Sequence, residues 1–267
     1  MKKKNSLQIV QTSHGDFSLD IIVLSHNNKK ITKDFLSFLY KNSKSDCFSY
    51  RLVMVDNGST DGTQDFLVNF LEKKENATLI LSKKNTGVIK GRNLGYHYGS
   101  ENTSSEFLMF LDNDQFVQKR WLDQHLGLIS LNYDLIGVEA WVMTRNLMPS
   151  RRLTSLNQAF NYVGCGGMVV RRKVIQSIGL FDVGFSPAYF EDPDFCIRAY
   201  KAGFKIGWNS KAKICHLGHQ TLGTLSTSNK KEKFMRSWKY FRSKWKYHSL
   251  PYINQLPIPS LGIGDKN

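Results

Sequence analysis

Two aspartates separated by a single residue, Asp112 and Asp114, follow the apolar run Phe107–Leu111. A short apolar run that ends in polar residues is typical of a buried strand. Carboxylates this close repel each other unless a cation or a proton shares the site, and Mg²⁺ and Mn²⁺ favour oxygen ligands of this kind. The pattern therefore admits a metal site beneath a phosphate-bearing substrate. It is equally typical of a polar turn after a strand, because Asp and Asn are common in turns.

A second pair of carboxylates, Glu191 and Asp192, stands directly before Pro193. Such a pair can supply the base that a reaction at a hydroxyl group needs. Acidic residues followed by proline are also a common helix start, stabilised by the helix dipole. From the residue types alone, the helix start is the favoured interpretation. Asp194 and Arg198 lie four residues apart on that helix and are expected to pair with each other.

The elements that must position these carboxylates alternate between strand and helix. The predicted strands are Leu19–Ser25, Arg51–Asp56, Ala77–Leu81 and the run that ends at Asp112, and the predicted helices between them are Lys33–Tyr40, Gly62–Lys74 and Gly87–Tyr98. This order indicates an α/β fold with a mostly parallel, Rossmann-like sheet flanked by helices. Ligands bind beyond the carboxyl ends of the strands in such sheets, so segments 25–28, 56–59 and 112–114 should open on one crevice.

The second half of the sequence is less regular. A strand is predicted over Tyr162–Arg171, with helices at Lys173–Ile178 and Asp194–Ala202. The sequence contains neither the glycine motif of dinucleotide-binding folds nor that of P-loop ATPases, and no histidine pair completes a zinc site. An oxygen-ligand site for a divalent cation is the chemistry that remains.

The composition limits the class of protein. With 267 residues, 41% hydrophobic and 22% charged, the chain can bury a substantial core. No apolar run approaches the roughly 20 residues of a membrane span, and the basic N-terminus lacks the apolar region of a signal peptide. The four cysteines are scattered and predict reduced thiols, so a cytoplasmic location is expected. The formal charge of +15 favours an anionic partner.

The tail over residues 230–248 holds eight Lys or Arg side chains and one Glu. Four aromatic residues share one face of a predicted helix in this tail: Phe234, Trp238, Phe241 and Trp245. The pattern fits a helix that inserts these rings at an anionic membrane surface, which would make the protein a peripheral protein at the inner face of the membrane. It fits equally well a terminal helix that packs the rings on the domain and leaves its charges in water.

Five motifs, in order across about residues 19–220, resemble the family 2 glycosyltransferases with their GT-A fold. They are VDNGSTDGT (Val55–Thr63), NTGVIKGRNLG (Asn85–Gly95), FLDND (Phe110–Asp114), GCGGMVVRR (Gly164–Arg172) and FEDPDFCIRAYKAG (Phe190–Gly203). The resemblance implies an inverting, non-processive enzyme of the bacterial type. Such an enzyme moves one sugar from a nucleotide-diphospho sugar, with a preference for uridine, to a hydroxyl of a glycan or lipid-linked acceptor. The QxxRW sequence of processive synthases is absent, in agreement with single transfers.

The resemblance also implies roles for individual residues in binding the donor. The residues implied to line the donor site are Ser25, His26, Asn27, Asp56, Asn85, Arg92, Asp112, Asn113, Gly166 and Gly167. Asp56 would contact the uracil or thymine ring and Arg92 the nucleotide, with a solvated charge on a helix as the less favoured alternative for Arg92. Gly166 and Gly167 would let the backbone approach the sugar closely, but packing explains both glycines as well.

The remaining implied roles concern the metal ion and the general base of the reaction. Asp112 and Asp114 would bind Mn²⁺ or Mg²⁺ under the diphosphate. His216 resembles a histidine that some GT-A enzymes bring to the metal, with a purely structural histidine as the alternative. Asp192 becomes the candidate base that deprotonates the acceptor, and Glu191 would position the acceptor or the base.

Two other function classes remain open at this point. A nucleotidyltransferase acting on sugar phosphates also uses carboxylate-bound Mg²⁺, but SHNNKK replaces its usual glycine- and Arg/Lys-rich loop after the first strand. The positive charge suggests a non-catalytic nucleic-acid-binding module, but no other feature of the sequence supports this class. Nucleic acid is therefore not expected as a partner. The predicted organisation is a polar, poorly ordered lead-in (1–18), a catalytic domain (19–222) and a basic aromatic extension (223–267). The catalytic domain divides into a nucleotide-binding half (19–115) and an acceptor-side half (116–222).

Overall fold

The computed structural model describes residues 7–11, 17–101, 103–130, 133–154, 158–216 and 227–254. The remaining residues of the predicted lead-in and tail lie outside the described part of the chain. The strands are β1 (Leu7–Gln11), β2 (Leu19–Ser25), β3 (Tyr50–Asn57), β4 (Ala77–Ser82), β5 (Phe107–Asp112), β6 (Gln115–Val117), β7 (Leu135–Gly137), β8 (Ala140–Met143), β9 (Pro149–Arg152), β10 (Tyr162–Val163), β11 (Met168–Arg171), β12 (Ile206–Trp208) and β13 (Ile214–His216). The α-helices are α1 (Lys29–Asn42), α2 (Thr63–Leu71), α3 (Val88–Gly99), α4 (Trp121–Ser130), α5 (Arg172–Ile178), α6 (Glu191–Lys201) and α7 (Thr227–Trp245).

Eight strands form a central sheet in the order β1-β4-β3-β2-β5-β11-β7-β12. Strands β4, β3, β2 and β5 are parallel, whereas β1 and β11 run antiparallel to their neighbours. The register sets Ser25 beside Asp56 and Leu24 beside Asp112. The polar residues at the carboxyl ends of these strands therefore meet at one edge of the sheet, as the sequence predicts.

Hydrophobic layers cover both faces of the sheet because alternate side chains of each strand point in opposite directions. Ile21 and Val23 of β2 pack in the same cluster as Phe35 of α1, whereas Ile22 packs in a second cluster with Ile89 of α3. All five side chains are at most 1% exposed. Burial of each of these side chains contributes about 1.5–3 kcal/mol. Because both faces of the sheet are covered, the sequences of the parallel strands are nearly continuous apolar runs. The predicted α/β fold with a mostly parallel sheet flanked by helices is confirmed.

The strand predicted over Tyr162–Arg171 is in fact two strands in different sheets. β10 joins β8 and β9 in a separate three-stranded sheet, and β11 joins the central sheet. Between them the backbone turns at Gly167, whose φ of 82° lies in the left-handed region that favours glycine. The apolar residues on both sides of the glycines fit the pattern of one continuous strand, so the sequence did not predict the turn between β10 and β11 that the glycines make possible.

Two other predictions need correction. The predicted lead-in is not irregular throughout, because β1 pairs antiparallel with β4 and sets Leu7 opposite Ser82. α6 begins at Glu191 rather than at Asp194, so Pro193 lies in its first turn, where proline is well tolerated. The helix start that the residue types favour is therefore present in the structure.

The helix α7 packs its aromatic face on the domain. Phe241 and Trp245 are buried, and Phe234 and Trp238 are partly buried against the same core. The domain thus covers Phe241 and Trp245, which agrees with the packing alternative for these two rings, whereas peripheral membrane contact of the tail stays a prediction. The indole of Trp245 also donates a hydrogen bond to Asp194 Oδ1 at 3.0 Å, which ties α7 to α6. None of the helices in the described residues combines the length and the apolar character needed to cross a membrane.

Candidate active site

A cavity of about 780 Å³ opens at the carboxyl ends of the parallel strands. Its walls come from both halves of the sequence. The loops after β2, β3, β4 and β5 form one side, and the start of α6, the strands β8 to β10 and the first turns of α7 form the other. A space of this size and polarity suits a small-molecule substrate.

Asp112, Asp114 and His216 form a candidate metal site on the strand side of the cavity. One ligand atom from each residue lies within 4.8 Å of the ligand atoms of the other two. Asp112 ends β5, and the pairing of β13 with β6 sets His216 opposite Gln115, next to Asp114. His216 Nε2 lies 3.2 Å from Asp114 Oδ1, and this contact raises the pKa of His216. Two carboxylates and an imidazole suit a divalent cation such as Mn²⁺ or Mg²⁺.

Arg92 connects this metal site to the second carboxylate pair. It lies on the buried face of α3 and is 5% exposed, so it is not a solvated helix charge. Its guanidinium donates to Asp112 Oδ1 at 2.6 Å and lies 3.8 Å from Glu191 Oε1. Burial alone would lower the pKa of Arg92, but Asp112 and the other carboxylates raise it. Arg92 therefore stays charged and balances the acidic side chains on both sides of the cavity.

Asp56, which is predicted to contact the nucleotide base of the donor, lies behind the cavity wall. It is fully buried, and its carboxylate accepts hydrogen bonds from the backbone N–H of Gly58 and Ser59 and from the Gln64 amide. Ser25, beside it in the sheet, lines the cavity. In the structure as it stands, Asp56 orders the loop after β3.

The loop after β2 carries His26 on the cavity wall and Asn27 beside it. The Asn27 backbone N–H donates to Ser59 Oγ at 2.7 Å, and its side-chain oxygen accepts from the Thr60 N–H. Asn27 therefore joins two strand-end loops and is not among the residues that line the cavity. His26 Nδ1 is buried without a hydrogen-bond partner among the described residues, so it is available to a ligand.

Asn85 and Asn113 both line the cavity and fix the loops that carry them. Asn85 Oδ1 accepts hydrogen bonds from the Asn57 amide at 3.1 Å and the Gly87 N–H at 2.8 Å. The Asn113 amide donates to Thr32 Oγ1 at 3.0 Å, which anchors the loop that carries the two metal-site aspartates.

The two predicted glycines differ in their roles. A Cβ atom on Gly166 would lie 2.6 Å from Asp112 Oδ2, so a side chain at this position would displace a carboxylate of the candidate metal site. Gly167 makes the turn before β11 and points its carbonyl at His125 Nε2, 3.0 Å away. Gly166 lines the cavity, whereas Gly167 lies behind it.

Glu191 and Asp192, at the start of α6, line the same cavity as the metal site. Loss of solvent around both carboxyl groups raises the pKa of each, and Asp192 raises that of Glu191 further. Asp192 accepts hydrogen bonds from the backbone N–H and the thiol of Cys165. Glu191 Oε2 and Asp192 Oδ1 are buried without a hydrogen-bond partner among the described residues. Carboxylates with raised pKa values and free oxygens are well suited to accept a proton from a substrate.

Sequence reasoning missed the wall that α7 and the small sheet contribute. Glu139, Trp141, Tyr162, Lys233 and Phe234 all line the cavity. The glycine-rich segment pointed to the region of Tyr162, but no spacing in the sequence relates Trp141 or Lys233 to the aspartates. Tertiary packing alone brings them to the site.

The chain matches the family model described as glycosyl transferase family 2 over residues 20–178. A second model, glycosyl transferase family group 2, matches residues 132–256. The first match covers more than half of the chain, and the protein therefore belongs to glycosyl transferase family 2. The resemblance inferred from the motifs is confirmed.

Individual relatives agree with this class. Glycosyltransferase AglE of Haloferax volcanii is 26% identical over 203 residues, which cover 72% of this chain and 63% of that protein. The aligned region thus spans less than two thirds of this relative. Among solved structures, S. aureus TarS (residues 1–349) in complex with UDP-GlcNAc has a TM-score of 0.62 at 19% identity, covering 88% of this chain and 68% of that one. Mannosyltransferase PcManGT from Pyrobaculum calidifontis, in complex with GDP-Man and Mn²⁺, has a TM-score of 0.56 at 15% identity, covering 79% of this chain and 59% of that one. Both likenesses show a shared GT-A fold.

Proposed function

We propose that this protein is a metal-dependent, inverting glycosyltransferase. It moves a single sugar from a nucleotide-diphospho sugar, with UDP as the expected nucleotide, to a hydroxyl of a glycan or lipid-linked acceptor. One observation carries the proposal: an acidic candidate metal site and a separate pair of carboxylates line one cavity in a member of glycosyl transferase family 2.

The donor would lie along the strand-end side of the cavity. Ser25, His26 and Asn85 line this side, and the unpartnered His26 Nδ1 offers a hydrogen-bonding atom to the nucleotide. Asp56 would reach the base only through a rearrangement of its hydrogen bonds or through the neighbouring loop atoms. Bound nucleotide sugars in TarS and PcManGT support this class of donor.

The diphosphate would lie over Asp112, Asp114 and His216. Mn²⁺ or Mg²⁺ held by these side chains would neutralise the diphosphate and make it a better leaving group. The Mn²⁺ in PcManGT supports a divalent cation without deciding between the two metals. Arg92, which already bonds Asp112, would keep that carboxylate oriented toward the ion.

The acceptor would approach from the α6 side. Its hydroxyl oxygen attacks the anomeric carbon as the bond from that carbon to the diphosphate oxygen breaks, and the hydroxyl proton passes to the Asp192 carboxylate. Asp192 lies at the start of α6, whereas the metal-site residues lie at the ends of β5 and β13. The proposed base is therefore separate from the groups that would hold the leaving diphosphate, as inversion at the anomeric carbon requires. Loss of solvent raises the pKa of Asp192, so this carboxylate is a stronger base than an exposed aspartate.

A donor screen tests this function directly. UDP-, dTDP- and GDP-sugars are added to the protein with Mn²⁺, with Mg²⁺ or with a chelator, and thermal unfolding and nucleotide release are measured. A donor that binds the folded state raises the unfolding temperature, and we expect this only when metal is present. Absence of both stabilisation and nucleotide release for every donor with either metal would contradict the proposed function.

A further inference from the structure

The wall of the cavity contributed by the small sheet and α7 is not used by the proposed donor or base. Trp141 and Tyr162 line this wall with their rings nearly parallel, 13° apart, and their centroids 6.5 Å apart. Trp141 is half-buried, so part of its ring faces the cavity. An aromatic ring on the wall of a polar cavity offers an apolar surface on which a sugar ring can lie.

Lys233 brings a positive charge to the same wall. The other basic groups at the site already face carboxylates, since Arg92 bonds Asp112 and His216 contacts Asp114. Lys233 is half-buried and has no hydrogen-bond or ion-pair partner in the part of the chain that the structure describes. Partial burial weakens solvent screening, so an anionic ligand gains more from this ammonium group than from an exposed lysine.

Packing fixes the part of α7 that carries Lys233. The adjacent ring of Phe234 lies 5.5 Å from that of Tyr189 and 5.1 Å from that of Phe190. One turn further along, the Trp238 indole donates to the Asn146 carbonyl at 3.1 Å. Phe190 directly precedes the carboxylate pair at 191–192, so the lysine is held in a constant position relative to the proposed base.

The carboxylate that the small sheet contributes to this wall is already paired. Glu139 lines the cavity, and its carboxylate lies 2.8 Å from the Arg152 guanidinium. The donor's own phosphates would lie over the metal site at the strand ends. The lysine is therefore available to the acceptor rather than to the protein's own acids or to the leaving group.

We propose that the acceptor is an anionic saccharide: its sugar ring lies on Trp141, and a phosphate or carboxylate group that it carries binds Lys233. This inference rests on the proposed function and names the class of acceptor. Lys233 acts as a specificity-determining residue, because a neutral sugar gains nothing from the ammonium group. Lysine binds phosphate or carboxylate as a point charge, so both sources of negative charge fit.

The test compares glucose, glucose 6-phosphate and glucuronate as binding probes. Dissociation constants are measured by ligand-observed NMR on the metal-free protein, so that no metal ion holds the phosphate. We expect at least one charged probe to bind about tenfold more tightly than glucose, which corresponds to about 1.4 kcal/mol. The phosphate and carboxylate arms then show which anion is preferred.

Matched variants assign this preference to Lys233. Lys233→Gln should reduce the ratio of charged to neutral affinity to about one, and Lys233→Arg should retain most of it. Lys239→Gln removes the same charge from an exposed position on α7 and should leave the ratio as in the wild type. Trp141→Ala should weaken glucose 6-phosphate binding while leaving inorganic phosphate binding unchanged.

Three results would overturn the proposal: equal binding of charged and neutral probes to the wild type, a preference that survives in Lys233→Gln, or loss of the preference in Lys239→Gln. Failure of the donor screen is a different result. If no donor binds but the Lys233-dependent preference is present, the proposed function falls and the anion site stands. If a donor binds and the preference is absent, only the acceptor class falls.

Discussion

Acidification is expected to destabilise this protein through one buried histidine behind the active site. His125 of α4 is 1% exposed, and its Nε2 lies 3.0 Å from the Gly167 carbonyl while its Nδ1 lies 3.2 Å from the Asn209 amide. A carbonyl only accepts, so Nε2 carries the proton and Nδ1 accepts from Asn209. The neutral ring is therefore satisfied, and a second proton would displace the Asn209 amide and place a charge in the core.

The size of the effect follows from the pKa. Burial lowers the pKa of His125 from 6.5 to about 4. Below pH 6.5 the unfolded chain gains a proton at this residue that the folded protein does not, so the free energy of unfolding decreases as pH falls toward 4. The full shift corresponds to about 3 kcal/mol, and roughly 2 kcal/mol of it is already lost at pH 5. Above pH 6.5 the ring is neutral in both states, and this source of pH dependence vanishes.

Urea unfolding of the wild type and of His125→Gln, at about pH 7.5 and pH 5, measures this contribution. Glutamine can donate to the Gly167 carbonyl and accept from Asn209 but does not titrate. The wild type should lose about 2 kcal/mol more on acidification than the variant does. His97→Gln, at a side chain that is 52% exposed, is the matched surface substitution. Equal pH dependence in the wild type and His125→Gln would refute the reasoning.

Three further outcomes follow from the site and from the packing of α7. Asp114→Ala should abolish Mn²⁺-dependent stabilisation by the nucleotide-sugar donor, measured by thermal unfolding, because the metal site loses one of its carboxylates; unchanged stabilisation in a folded variant would remove Asp114 from the metal site. Asp192→Asn preserves shape but cannot accept a proton, so transfer should fall by roughly two to four orders of magnitude while donor affinity stays near that of the wild type. Transfer at close to the wild-type rate would mean that another group is the base. Phe241→Ala opens a cavity under α7 and should cost about 3–5 kcal/mol of unfolding free energy, whereas Tyr247→Ala, at a residue 86% exposed, should change it by no more than about 0.5 kcal/mol. Similar urea midpoints for these two variants would show that α7 contributes little to the fold.

The packing of α7 changes the meaning of the basic tail. Asp194 of α6 accepts from Arg198, Trp245 and Lys244, so the helix that carries the proposed base is tied directly to the last helix. The predicted pairing of Asp194 with Arg198 is confirmed at 2.8 Å, but it is one part of a larger network. Since α7 also supplies Lys233 and Phe234 to the cavity, it forms part of the wall of the candidate active site.

The sequence by itself determined the strands and helices around the parallel sheet and the strand-end positions of the polar residues. Apolar runs such as Ile21–Leu24 are typical of strands that bury side chains on both faces of a parallel sheet. Parallel strands end at a common edge, so the meeting of Asp56 and Asp112 there follows from local pattern and topology alone. The ordered motifs then identified the family, and with it the pairing of two aspartates with a distant carboxylate pair.

Only the tertiary structure decided which side chains face the cavity. The helical spacing of Phe241 and Trp245 predicts an apolar face, but the domain surface that covers this face lies far away in the sequence. The sequence therefore fitted a helix on a membrane and a helix packed on the domain equally well. The sequence also left open whether Arg92 is buried, because a charged side chain is buried only where opposite charges compensate it. The compensating carboxylates come from other elements of the fold, β5 and α6. Lys233 gives no signal in sequence at all. Local propensity and periodicity report contacts a few residues apart, whereas the site depends on contacts between segments that folding alone brings together.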